Sequence, residues 1–66
     1  MNKYTFAGKW ENSEYEFTLE HVVYAFDEQT ACELAFRWFM GYHKNNIPFK
    51  MNYVGMRLVR FNDMEV

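Results

Sequence analysis

The stretch ACELAFRWFMGY, residues 31–42, decides the fold. Its apolar residues Ala31, Leu34, Ala35, Trp38, Phe39 and Tyr42 recur at spacings of three and four, which is one stripe of a 3.6-residue helix. A second column, Cys32, Phe36 and Met40, runs beside that stripe and onto the back of the helix. With Ala31 at zero, Phe36 falls near about 140° and Met40 near about 180° around the axis. A helix that only covered a sheet would carry polar residues there. The over-wide apolar arc therefore predicts a surface that something else covers.

Working outward, Asp27 is a good N-cap, and Glu28 places a carboxylate in the first turn. Glu33 and Arg37 are spaced for an i,i+4 ion pair. Gly41 or the segment Lys44-Asn45-Asn46 ends the helix, with Pro48 just beyond. Upstream lies a hairpin. Tyr4, Phe6, Gly8 and Trp10 alternate with Lys3, Thr5, Ala7 and Lys9, while Tyr15, Phe17, Leu19 and His21 alternate with Glu14, Glu16, Thr18 and Glu20. A four-residue turn, Glu11-Asn12-Ser13-Glu14, sets Trp10 opposite Tyr15, Gly8 opposite Phe17, Phe6 opposite Leu19 and Tyr4 opposite His21. Lys9 then meets Glu16, Ala7 meets Thr18 and Thr5 meets Glu20, so both faces match chemically. Gly8 leaves room for the Phe17 ring. From Val22 to Ala25 the alternation fails, which predicts a strand covered on both sides or bulged.

Downstream, residues 51–61 read as a third strand, with Val54, Met56 and Leu58 facing the core and Tyr53, Gly55, Arg57 and Val59 facing out. The tail 62–66 reads as loose. A crossover through one helix favours right-handed, parallel second and third strands. The first strand then sits between them, antiparallel to both. The expected fold is α+β: β-β-α-β, a three-stranded sheet in order 2-1-3 with one helix on one face, in a single domain spanning 1–66.

The chain has 66 residues, among them seven Phe, five Tyr and two Trp, a dense aromatic core for a small domain. Net charge is −2, but residues 1–33 carry net −5 and residues 34–66 net +3. That polarity could orient a partner or a second copy. The single Cys32 excludes an internal disulfide and fits a reducing compartment. The opening residues lack the apolar core of a signal peptide, and the apolar run Val22–Phe26 is far short of the roughly 20 residues that span a bilayer. A cytoplasmic protein without a membrane segment is expected.

The residues that could carry chemistry are few. His21, His43 and Cys32 have no metal-binding spacing, so no metal or cofactor is expected. His21 reads as a partly buried, hydrogen-bonded residue and His43 as a cation favourable near a helix C-terminus. Cys32 has no base placed beside it, and Glu28 and Glu33 oppose its thiolate. Glu14, Glu16 and Glu20 share an exposed strand face with no pocket to separate their pKa values. No glycine-rich phosphate loop is present. Lys3, Lys9, Tyr53, Arg57 and Phe61 on one sheet face would suit single-stranded nucleic acid, but Glu16, Glu20 and the net charge oppose phosphate. The same acids, offset by seven bases, make a poor nucleic-acid mimic.

Aromatic and Met residues are the types enriched in interface cores. The sequence therefore points to a non-enzymatic protein–protein interaction module, an inhibitor of a larger enzyme or complex, that also forms a homodimer. Cys32, Phe36, Arg37, Met40 and His43 are the expected contact residues, with the second strand as a dimer edge. In size and poverty of motifs the chain resembles the small accessory proteins that phages make to disable host factors, a likeness that assigns no residue a role. Two other readings are a nucleotide or small-molecule sequestering oligomer, using Tyr24, Tyr53 and Arg57, and a single-stranded nucleic-acid binder.

Overall fold

Alternation with period two and then period 3.6 builds two strands, a helix and a third strand, in that order. The computed structural model describes residues 1–46 and 51–63. Its elements are β1 (Asn2–Glu11), β2 (Glu16–Ala25), α1 (Glu28–Asn46) and β3 (Asn52–Asn62). The sheet order is β2-β1-β3, with both neighbours antiparallel to β1, so the expected α+β architecture is the one found. Of the two expected helix stops, Gly41 and Lys44-Asn45-Asn46, α1 ends at the second; Pro48 and most of the tail 62–66 lie outside the described residues, although Asn62 belongs to β3.

The hairpin register differs from the expected one by two residues. Trp10 opposes Phe17, Gly8 opposes Leu19, Phe6 opposes His21 and Tyr4 opposes Val23. On the other face Lys9 opposes Thr18, Ala7 opposes Glu20 and Thr5 opposes Val22. Matching of faces repeats every two residues, so it excludes a slip of one but not of two. The turn makes the choice. Asn12 Oδ1 accepts from the backbone N–H groups of Glu14 and Tyr15, at 2.8 and 2.7 Å, and Asn12 N–H donates to the Tyr15 carbonyl at 2.9 Å. This closes the loop on Asn12–Tyr15 and leaves Tyr15 exposed.

Three further expectations are corrected. The space over Gly8 is filled by Phe39, not Phe17: a Cβ there would stand 2.8 Å from the Phe39 ring. Alternation persists to the end of β2, with Val23 and Ala25 buried and Val22 and Tyr24 exposed, and β2 pairs with β1 without a slip. On β3, register shifts opposite Thr5/Phe6 and Lys9/Trp10 act as bulges. They exchange faces, so Tyr53 packs on Trp10 at 5.5 Å while Val54 is exposed.

Asp27 caps α1, its Oδ1 accepting from the Thr30 N–H at 2.8 Å and its carbonyl from the Ala31 N–H at 3.1 Å. The helix passes Gly41 and runs to Asn46, with the Asn45 side-chain amide donating to the Gly41 carbonyl at 2.8 Å. The buried line is Ala31, Ala35 and Phe39. It is centred about 30° around from the expected stripe. The helix packs on β2 and β1 and barely meets β3. Trp10, fully buried, is the hub, with the rings of Phe17, Phe39, Tyr42 and Tyr53 centred 5.5–5.9 Å away.

Candidate interaction surfaces

Three surfaces result: the two flanks of α1 and the outer face of the sheet. The first flank, above β3, holds the residues expected to meet a partner. Phe36 is 48% exposed, its ring edge-on to Tyr53 at 6.3 Å. Arg37 is exposed but lies around the helix toward Trp38, with which it lines a shallow depression, rather than beside Phe36. The expected Glu33–Arg37 ion pair is not formed, as is common for solvated charges. Cys32 and Met40 are half-buried and pack on the core, so Met40 does not face outward as the helical wheel predicts; its long side chain folds back. Burial, and then Glu28, push the Cys32 thiol up from its ordinary pKa, which disfavours a reactive thiolate.

His43 serves the core rather than the helix dipole. Its Nδ1 accepts from Trp10 Nε1 at 2.9 Å, and the two rings are stacked. An imidazole that accepts at Nδ1 carries its proton on Nε2 and is neutral, so the expected cation is replaced by an acceptor for a buried indole. No spacing rule reveals this bond, because the two residues are far apart in sequence.

The second flank lies above β2. Trp38 stacks on His21 with ring centroids 3.8 Å apart, and Leu34, one turn earlier, is also exposed. Spacing alone singles out neither, since it assigns both to the core stripe. His21 opposes Phe6 rather than Tyr4, and it is stacked rather than hydrogen-bonded among the described residues. Burial holds its imidazole below the ordinary value. Val22 and Tyr24, also exposed, lie on the opposite face of β2, and Phe26 just past the strand is 77% exposed.

The outer sheet face forms a shallow concavity of about 490 Å³ over Ala7, Thr18 and Gly55, walled by Lys9, Glu16, Glu20 and Arg57. Lys9 pairs with Glu16 at 3.6 Å and with Glu11 at 3.8 Å; Arg60 pairs with Glu20 at 3.3 Å. Opposite signs interleave, so the face presents no field of one sign to phosphate. Tyr53 and Phe61 lie on the inner face, Phe61 against Tyr4 at 5.1 Å, so they are not part of this surface. Tyr24, Tyr53 and Arg57 are not brought together. Tyr53 is on the opposite face, and Tyr24 pairs with Lys3 while Arg57 pairs with Ala7, about 13 Å along β1.

Among the described residues no group of three His, Cys, Asp or Glu converges as a metal site, and no helix is long and apolar enough to cross a membrane. Comparison with models of protein families, with curated proteins and with solved structures finds no match.

Proposed function

We propose that this chain is a non-enzymatic, cytoplasmic protein-binding module that pairs with itself and inhibits a larger protein or complex by contact. One observation carries the reading. Large apolar side chains stand exposed on both flanks of the buried helix line: Phe36 on one side, Leu34 and Trp38 on the other. A single exposed apolar residue needs no explanation, but three large ones along one short helix do. Aromatic residues, Met and Arg are the types enriched at interface cores, and Phe36 and Arg37 both stand exposed. Cys32, Met40 and His43, half-buried, lie on the Phe36 side of the helix.

The test compares capture from the native host by the wild type and by Phe36→Ser/Arg37→Ala, with quantitative mass spectrometry. Met40 is left intact because it packs on the core. The variant should keep its circular dichroism spectrum and lose the captured protein. Unchanged capture by a folded variant refutes the surface. A rise in melting temperature with a nucleotide, or affinity for single-stranded oligonucleotide that falls steeply with salt, returns the function to the sequestering or nucleic-acid reading.

A further inference from the structure

Among the described residues the sheet has two open edges, β2 and β3, and they are treated differently. Bulges at Val54 and Val59 interrupt the β3 edge. The β2 edge runs Glu16–Ala25 in unbroken register, with neither Pro nor Lys. Bulges, Pro and charged side chains keep edges from pairing; β2 has neither of the first two, and its charges, Glu16 and Glu20, both lie on the outer face. Exposed apolar side chains also gather on this edge: Val22 and Tyr24 on the strand, Phe26 just past it, and Leu34 and Trp38 above it.

We propose that β2 pairs with β2 of a second copy about a two-fold axis at His21, joining two three-stranded sheets into one of six strands. This rests on the self-association reading above and gives it a register. Opposed residues of an antiparallel pair share a face, so their two numbers must sum to an even number. Two registers keep nearly all of β2 paired, one centred on Glu20 (residues 16–24) and one on His21 (residues 17–25). The first sets Glu20 against Glu20 of the second copy, a like-charge contact on the axis. The second sets Glu20 opposite Val22, Thr18 opposite Tyr24, Leu19 opposite Val23 and Phe17 opposite Ala25. No carboxylate then faces a carboxylate, and the two His21 rings meet at the centre.

The helix layer fits the same axis. The contacts Trp38–His21 and Tyr42–Phe17 show that α1 runs opposite to β2. Trp38 therefore lies over the axis, and the two helices run antiparallel with Trp38 and Leu34 between them. The shape of one copy agrees. Its radius of gyration is 12.9 Å, where a compact chain of this length has about 11 Å. Its extents are 44 × 18 × 15 Å, long in one direction and narrow in the others. Pairing along β2 widens the narrow direction. An edge about 33 Å long and two layers deep offers the roughly 800 Å² per copy that a stable pair needs.

The experiment measures mass by light scattering and sedimentation across a concentration series of the full chain. It adds Val22→Glu and Val22→Lys, and His21→Cys and Thr18→Cys, each cysteine variant also carrying Cys32→Ser. A dimer is expected. Val22→Glu puts one carboxylate opposite each Glu20, two such contacts per dimer, and should raise the dissociation constant about tenfold, whereas Val22→Lys should leave it unchanged or tighter. His21→Cys should form a covalent dimer under mild oxidation and Thr18→Cys should not, because position 18 of one copy lies about 20 Å along the strands from position 18 of the other. A dimer that ignores the charge at position 22 and crosslinks equally at 18 and 21 overturns the register while self-association stands. A monomer throughout the range overturns both.

Discussion

Gly8→Ala is a one-methyl test of how the helix meets the sheet. A Cβ at position 8 would lie 2.8 Å from both Cδ1 and Cε1 of Phe39, closer than real contacts come. Phe39 is fully buried between Trp10 and His21, and its rigid ring cannot swing away as the end of a flexible side chain could. Either α1 lifts or the ring leaves its rotamer. Overpacking of this kind costs roughly 1–3 kcal/mol. Replacing a strand glycine returns about 0.5–1 kcal/mol of backbone entropy. The net expectation is a loss of about 1–2 kcal/mol, which for a domain of this size lowers the melting temperature by roughly 4–16 °C. Urea unfolding followed by tryptophan fluorescence, at fixed protein concentration, measures it. Phe39→Leu, which removes the ring, should recover about 1 kcal/mol of the loss in the double variant, and Phe17→Leu should recover none. A Gly8→Ala protein as stable as the wild type, or rescue by Phe17→Leu, refutes the packing described for Gly8.

Two other expectations concern the histidines. His43→Phe keeps the stacked ring but leaves the buried Trp10 indole without its acceptor, and should cost about 1–3 kcal/mol in the same denaturation assay; an unchanged midpoint would mean that the bond contributes nothing. His21 is held below its ordinary pKa of 6.5 by burial, so the unfolded chain binds the proton first as pH falls. Its contribution is complete above about pH 6.5 and is lost as pH drops through that value toward the lowered folded one. The stability difference between wild type and His21→Gln should therefore shrink on acidification, and a difference constant between about pH 8 and pH 5 would contradict the burial of this imidazole.

The architecture is legible because its signals are periodic. Alternation in residues 3–21 and 51–61, the spacing in 31–42, the Asp27 cap and the right-handed crossover rule suffice for β-β-α-β in order 2-1-3. What stays hidden depends on single hydrogen bonds or on register. Asn12 chooses the turn, and no pattern of faces distinguishes its register from one displaced by two. Two bulges turn Tyr53 inward and Val54 outward, and a bulge leaves no mark in a Val- and Met-rich strand. Trp10 finds its acceptor in His43, on another element. The candidate site is half legible. Helical spacing puts Phe36 and Arg37 on the open side of the helix, but it does not separate Met40 and His43 from them, because a wheel gives angles and not the reach of a side chain.

The exposed rows on α1 have a cause in the core, and it is not an excess of apolar residues. The buried line begins with two alanines, Ala31 and Ala35, in one core cluster with Val23 and Ala25 of β2, and at Phe39 it meets the aromatic rings around Trp10. Small residues let a helix approach a sheet closely. Once it is close, the larger residues to either side cannot interdigitate with the strand below and must splay along the flanks. Leu34 and Trp38 go one way and Phe36 the other, each keeping part of its surface in water. Filling the line, as in Ala35→Leu, would not simply add contacts; it would lift the helix and change how far both rows stand out. The flank surfaces and the alanine line are therefore one feature, and a change that improves the core at Ala35 should weaken the proposed contacts at Phe36 or Trp38 without touching either residue.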